Sequence, residues 1–171
     1  MSQQLRAVIA ETQERFRLDP TSAIMHFESS SCLQEGLQSQ ARMRQHSLVV
    51  DEPVALGGAD TGPNPVEIVL AALGTCQEIT YRAYATALGI PLERVSVVLD
   101  GEVDLRGFLG VPPDVRPGYR HITGTVTLVS SAPAEQLEQL RDAVNAHCPV
   151  LDIITNKVPV ELTLDLRPTG G

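Results

Sequence analysis

The stretch from Asn64 to Gly89 constrains this chain more than any other. Asn64-Pro65-Val66-Glu67 is a strong helix start, with Asn at the cap, Pro at the first helical position and Glu67 completing a capping box. Gly89 supplies the stop, so one helix is predicted from about Pro65 to Leu88. Up to Gln77 it is apolar on most of its faces. A helix of that kind belongs in a core or a subunit interface, and the remaining elements must cover it.

Those elements follow from periodicity. Leu5, Val8, Ile9 and Phe16 recur at helical spacing across residues 4–17, and Asp19-Pro20 ends that helix. Apolar and polar residues roughly alternate over Thr21–Ser30 and Leu37–Val50, two predicted strands joined through Gln34-Glu35-Gly36. Val95–Val103, His121–Val129 and Val158–Leu166 are read as further strands, and 105–119, rich in Pro and Gly, as a loop. Leu137, Leu140 and Val144 mark an amphipathic helix over Ala134–Ala146, and Pro149 opens a short one after Cys148. No internal repeat is visible. The order of elements predicts an α+β fold, with helices packed on antiparallel strands.

Charge and composition then remove whole classes of function. The 171 residues include 21 acidic and 13 basic ones, for a net charge of −8, and Lys157 is the only lysine. A nucleic-acid backbone would be repelled, and without Trp there is little to stack on a base. No apolar run is long enough to cross a bilayer. Met1 to Arg6 lacks the basic start and apolar block of a secretory signal, so a cytoplasmic home is expected. No Gly-rich phosphate loop, nucleophile elbow, CxxC pair or tight Cys/His pattern occurs, so neither cofactor nor metal is expected.

Three widely spaced cysteines do not form a disulfide framework; in a reducing compartment each is either buried filler or chemistry. Cys76 lies inside the apolar helix, where it is a small core residue or a thiol needing a cation from elsewhere in the fold. Cys148 precedes Pro149 at the cap of a short helix, where free N–H groups favour a thiolate. Local reasoning alone therefore selects Cys148 as the attacking thiol. Cys32, near a strand end, reads as structural. Glu67 has its cap role, and nine residues at 100° each set it on the opposite side of the helix from Cys76. Arg42 and Arg44 are placed two apart on one strand face.

The run Gly57-Gly58-Ala59-Asp60-Thr61-Gly62-Pro63-Asn64-Pro65 through Gly74-Thr75-Cys76, preceded by Asp51-Glu52-Pro53, resembles the signature of the OsmC/organic hydroperoxide resistance family. So does His147-Cys148-Pro149-Val150, with Val158-Pro159-Val160 after it. The resemblance implies an OsmC-like domain over 21–168 behind an N-terminal helical extension, 1–20. It implies an intertwined homodimer with two long central helices and two sites at the interface. It also implies a thiol-dependent peroxidase acting on organic hydroperoxides. By motif, Cys76 becomes the peroxidatic residue and Cys148 the resolving one, reversing the local preference. An external thiol or dihydrolipoyl group would reduce the resulting disulfide. Members with established activity carry Glu directly after the helix-start proline; here that position is Val66 and the nearest carboxylate is Glu67. Arg44, and after it Arg42, stands for the family's activating arginine. The alternative is a dimeric redox sensor or small-ligand binder of the same fold without efficient turnover.

Overall fold

The structure, a computed structural model, describes residues 2–111 and 113–168. Its centre is the expected helix, α2 (Pro65–Leu88). Asn64 Oδ1 accepts from the Glu67 amide at 2.9 Å and the Glu67 carboxylate accepts from the Asn64 amide at 2.8 Å, so the capping box is complete. Gly89 closes the other end in the left-handed region, at φ +73°. Helix α1 (Ser2–Leu18) docks on α2, where the Arg6 guanidinium donates to the Thr86 carbonyl at 3.1 Å.

Two separate antiparallel sheets accompany the helices. In the first, β1 (Ser30–Leu33), β2 (Ser39–Met43) and β3 (His46–Val50) lie in that order. In the second, β4 (Arg94–Val103) pairs with β5 (Tyr119–Val129), and Val95, Val97, Leu99 and Gly101 turn inward while their neighbours face out. The register slips after Glu102–His121, because Val103 pairs with Tyr119 and Arg120 is left as a bulge. Helices α4 (Ala134–His147) and α5 (Pro149–Thr155) complete the layer. The core is formed by Tyr81 and Ala85 of α2 with Leu92, Leu140 and Val144, backed by Val95 and Leu128 from the second sheet. Helices on antiparallel sheets make this an α+β fold, as expected.

Four local expectations need correction. Residues 21–29 form no strand: Asp19 accepts from the Thr21 amide and caps a short 3₁₀ turn over Pro20–Ala23, and pairing starts only at Ser30. The predicted strand over 37–50 is a hairpin, bent at Arg44 with φ +56°. Arg42 is therefore on β2 and Arg44 in the turn, so the two do not share a strand face. The 105–119 loop contains a one-turn helix, α3 (Leu105–Leu109), capped by Asp104 and ended by Gly110. Among the described residues no strand forms beyond Thr155: the 158–166 segment has the right alternation, but no edge in its own chain takes it.

One knot sets the approach to α2. The buried Asp51 carboxylate accepts from the amides of Glu52, Ala59 and Thr61 and from the Thr61 hydroxyl, at 2.8–3.2 Å. Burial raises its proton affinity, but the hydrogen bonds from Thr61, Glu52 and Ala59 outweigh this and hold its pKa below the usual carboxylate value. The folded loop leaves no room for side chains at two points. A Cβ on Gly58 would lie 1.9 Å from the Glu52 carbonyl oxygen, and one on Gly62 would lie 2.4 Å from that of Val49.

Candidate active site

Cys76 sits midway along α2, and Cys148 at the joint between α4 and α5, because Pro149 cannot continue one helix and starts the next. Packing α4 and α5 against α2 brings two residues 72 apart in sequence to a sulfur–sulfur distance of 3.4 Å. All three cysteines are free thiols. A disulfide bond is about 2.05 Å long, so joining Cys76 and Cys148 requires an approach of about 1.4 Å, within reach of a rotamer adjustment.

The two thiols are unequal. Cys148 is 1% exposed, whereas Cys76 is only half-buried. Burial pushes the Cys148 thiol up; the amides of Leu151 and Val150 pull it down, and the neighbouring Cys76 adds to the rise. The cap position thus supplies the expected N–H groups, but burial outweighs them. Beside the pair, His147 Nδ1 donates to the Ala143 carbonyl at 2.8 Å and its ring lies 5.2 Å from that of Tyr84.

The other candidates lie apart from the sulfurs. Glu67 is nine residues before Cys76, roughly 13 Å along the axis, and its carboxylate is engaged in the cap. Arg42 and Arg44 are exposed on the first sheet, and among the described residues neither forms a hydrogen bond or ion pair with Cys76 or Cys148. Cys32, exposed on β1, is not part of the pair. Three residues were not singled out from sequence. Asp51 ties the loop, Tyr119 donates its hydroxyl to the Val66 carbonyl at 2.7 Å, and Gln77 is a buried amide beside Cys76. Only the last had a visible signal: it is the first polar residue after the apolar half of α2.

A cavity of about 650 Å³ lies between α2, the inner face of the second sheet, and α5. Leu73, Val97, Leu99 and Ile122 line its apolar part, and neither Cys76 nor Cys148 is in its wall. No helix among the described residues is long and apolar enough to cross a membrane.

Comparison with known proteins agrees with this architecture. No protein of curated function matches the chain. An OsmC-like protein from Mycoplasma pneumoniae superposes with a TM-score of 0.66 at 20% identity, over 77% of this chain and 88% of the other. An organic hydroperoxide resistance protein OsmC from Legionella pneumophila superposes with a TM-score of 0.60 at 18% identity, over 77% and 90%. One from Elizabethkingia anophelis gives 0.57 at 14% identity, over 76% and 88%. At such identities the likeness is one of fold. The family model described as OsmC-like protein matches residues 57–163, which include the glycine-rich loop, all of α2 and both paired cysteines. The chain belongs to the OsmC-like protein family.

Proposed function

We propose that the protein is a thiol-dependent peroxidase for organic hydroperoxides, with Cys76 as the peroxidatic and Cys148 as the resolving residue. The Cys76 thiolate attacks the outer oxygen of the hydroperoxide and the O–O bond breaks. The alkoxide leaves as an alcohol after taking a proton, and Cys76 becomes a sulfenic acid. The Cys148 sulfur then attacks the Cys76 sulfur, a disulfide forms and water leaves. An external dithiol, such as a dihydrolipoyl group, restores both thiols and is itself oxidised. The observation that carries the reading is the 3.4 Å sulfur pair with unequal burial. The more accessible thiol meets the oxidant, and the shielded one is close enough to trap the sulfenic acid before further oxidation. The apolar α2 surface around Cys76 favours an alkyl or lipid hydroperoxide over hydrogen peroxide.

A homodimer belongs to the same proposal. Among the described residues no cationic side chain forms a hydrogen bond to the Cys76 sulfur, so an activating arginine, with Arg44 the first choice and Arg42 the second, would come from a second copy. Phe27, Leu162 and Leu164 are each more than four-fifths exposed, which gives a partner apolar surface to cover. Residues 1–20 then act as an extension that packs on α2 and leaves the thiols alone.

One observation favours a second reading, a redox sensor or ligand binder without efficient turnover: the Glu67 carboxylate is held by the cap. Thiol loss on adding cumene hydroperoxide separates the two readings. Turnover predicts rapid loss of two thiols in the wild type, no fast loss in Cys76→Ser, and a trapped sulfenic acid in Cys148→Ser. Persistence of both wild-type thiols in excess peroxide for many minutes would reject the peroxidase. A faster reaction with hydrogen peroxide than with cumene hydroperoxide would reject the organic substrate class alone.

A further inference from the structure

The cavity beside α2 has features that the thiol chemistry does not use. Gln77 is 6% exposed, and its Oε1 is fully buried with no hydrogen-bond partner among the described residues. An amide oxygen stranded in this way carries an uncompensated desolvation cost, which a Leu or Met at the same place would avoid. Its side chain lines the cavity, whose walls are mostly apolar, with Leu73, Val97, Leu99, Ile122, Leu151 and Ile154 among them, and include Thr123, Asn145 and Thr155.

The rim differs in charge from the rest of the molecule. Arg116, Arg120 and His121 gather there in a chain of net charge −8. Arg120 is held by Glu102 at 2.9 Å, whereas Arg116 forms no ion pair among the described residues. The carbonyl of Arg116 packs against Gly107 of α3, so closely that a Cβ on Gly107 would lie 2.4 Å from it. Phe108, Leu109 and Val111, which follow Gly107 in the chain, are each about two-thirds exposed or more. Tyr119, which also lines the cavity, reaches Val66 in the first turn of α2, while Gln77 lies eleven residues further along, roughly 16 Å down the axis. The cationic rim and the orphan amide therefore stand toward opposite ends of an elongated, mostly apolar space.

We propose that this cavity is a ligand site, separate from the thiols, for an apolar carboxylic acid of medium chain length that carries a hydroxyl near its far end. Its volume is that of a small-molecule pocket, which typically runs from about 300 to 1,000 Å³. The carboxylate pairs with Arg116, whose planar fork suits it. The chain lies along the leucine and valine walls. The ligand hydroxyl donates to Gln77 Oε1 and accepts from Nε2, satisfying both ends of the amide. A plain acid without the hydroxyl leaves Gln77 stranded and is discriminated against for that reason.

The test is displacement of dansyl-undecanoic acid, followed by fluorescence, with ω-hydroxylauric acid, lauric acid and lauryl alcohol as competitors. In the wild type, ω-hydroxylaurate should compete best, with laurate and lauryl alcohol each about tenfold weaker. Arg116→Gln should remove the advantage of the acid over the alcohol. Gln77→Leu should equalise the two acids, and Gln77→Met serves where the leucine variant does not fold. Cys76→Ser should bind like the wild type, so that this site and the peroxidase reading can fail separately. The proposal is overturned by no saturable binding to the wild type, as when a second copy fills the cavity. It is equally overturned by loss of binding in Cys76→Ser, or by a hydroxyl preference that survives in both Gln77 variants.

Discussion

The C-terminal half of α2 and the two flanking segments, 24–33 and 158–166, use the same residue types to opposite ends. Around Tyr81 and Ala85, the apolar side chains of α2 meet Leu140 and Val144, both fully buried, and the sheet behind them. In the flanking segments Ile24, Phe27, Leu33, Leu162 and Leu164 point into solvent, and Leu162 is 92% exposed. The first region is closed by its own chain. Apart from β1, which pairs with β2, the second has the alternation of strands without the edge that would pair them, and an extended run with free N–H and C=O groups is an invitation to another chain. Folding of the closed region is thus an affair of one molecule, while the order of the flanking segments depends on what they meet.

The hardest test of that contrast is at the closed end. Leu140→Ala should cost about 2–5 kcal/mol in urea unfolding, because a fully enclosed side chain leaves a cavity that its neighbours fill only in part. A loss below 1 kcal/mol, roughly the value for an exposed site, would mean that the two regions do not differ as described.

The second test is at the open end. If a second copy covers the C-terminal segment, Leu162→Asp combined with Leu164→Asp should shift the protein from dimer to monomer in sedimentation equilibrium. The stability of the monomeric variant against urea should stay within about 0.5 kcal/mol of a wild type diluted to monomer. A dimer that survives both charges would place the interface elsewhere and leave the segment without a partner.

This contrast also explains which parts of the structure were legible in the sequence. Helix α2 was, to the residue, since Asn64, Pro65, Glu67 and Gly89 are start and stop signals that act within one turn of where they stand. Strands β4 and β5 were each legible from their alternation, and the structure adds that they pair with their apolar faces in register. The 158–166 segment was misjudged because alternation reports a face and says nothing about a neighbour. Arg44 was misplaced because a single left-handed residue converts a strand into a hairpin, and arginine carries no marker for that conformation. At the candidate site, no spacing rule connects Cys76 with Cys148 across 72 residues; family resemblance pointed to them, and packing of α4 and α5 on α2 accounts for the meeting. Local reasoning favoured Cys148 as the thiolate because it counted the N–H groups at the cap and had no access to the burial that outweighs them.

The last and smallest effect is expected at the junction between the two regions, where Asp51 ends β3 and fastens the loop leading to α2. One carboxylate oxygen accepts from the Glu52 amide, the other from the Ala59 and Thr61 amides and the Thr61 hydroxyl. Asp51→Asn keeps the shape but turns an amide N–H₂ toward either one donor or three, so some of these bonds are lost in any orientation. The sign with pH follows from the direction of the shift. The folded pKa lies below the unfolded value of about 3.9, so the contribution is complete above that value and is lost as pH falls through the folded pKa. Urea midpoints should therefore be lower in Asp51→Asn than in the wild type at about pH 7, and the gap should narrow as the pH falls below the unfolded value of about 3.9 and through the folded pKa. A gap of the same size throughout would assign the loop's order to the close backbone packing at Gly58 and Gly62. The carboxylate would then be a passenger on a path that the glycines already dictate.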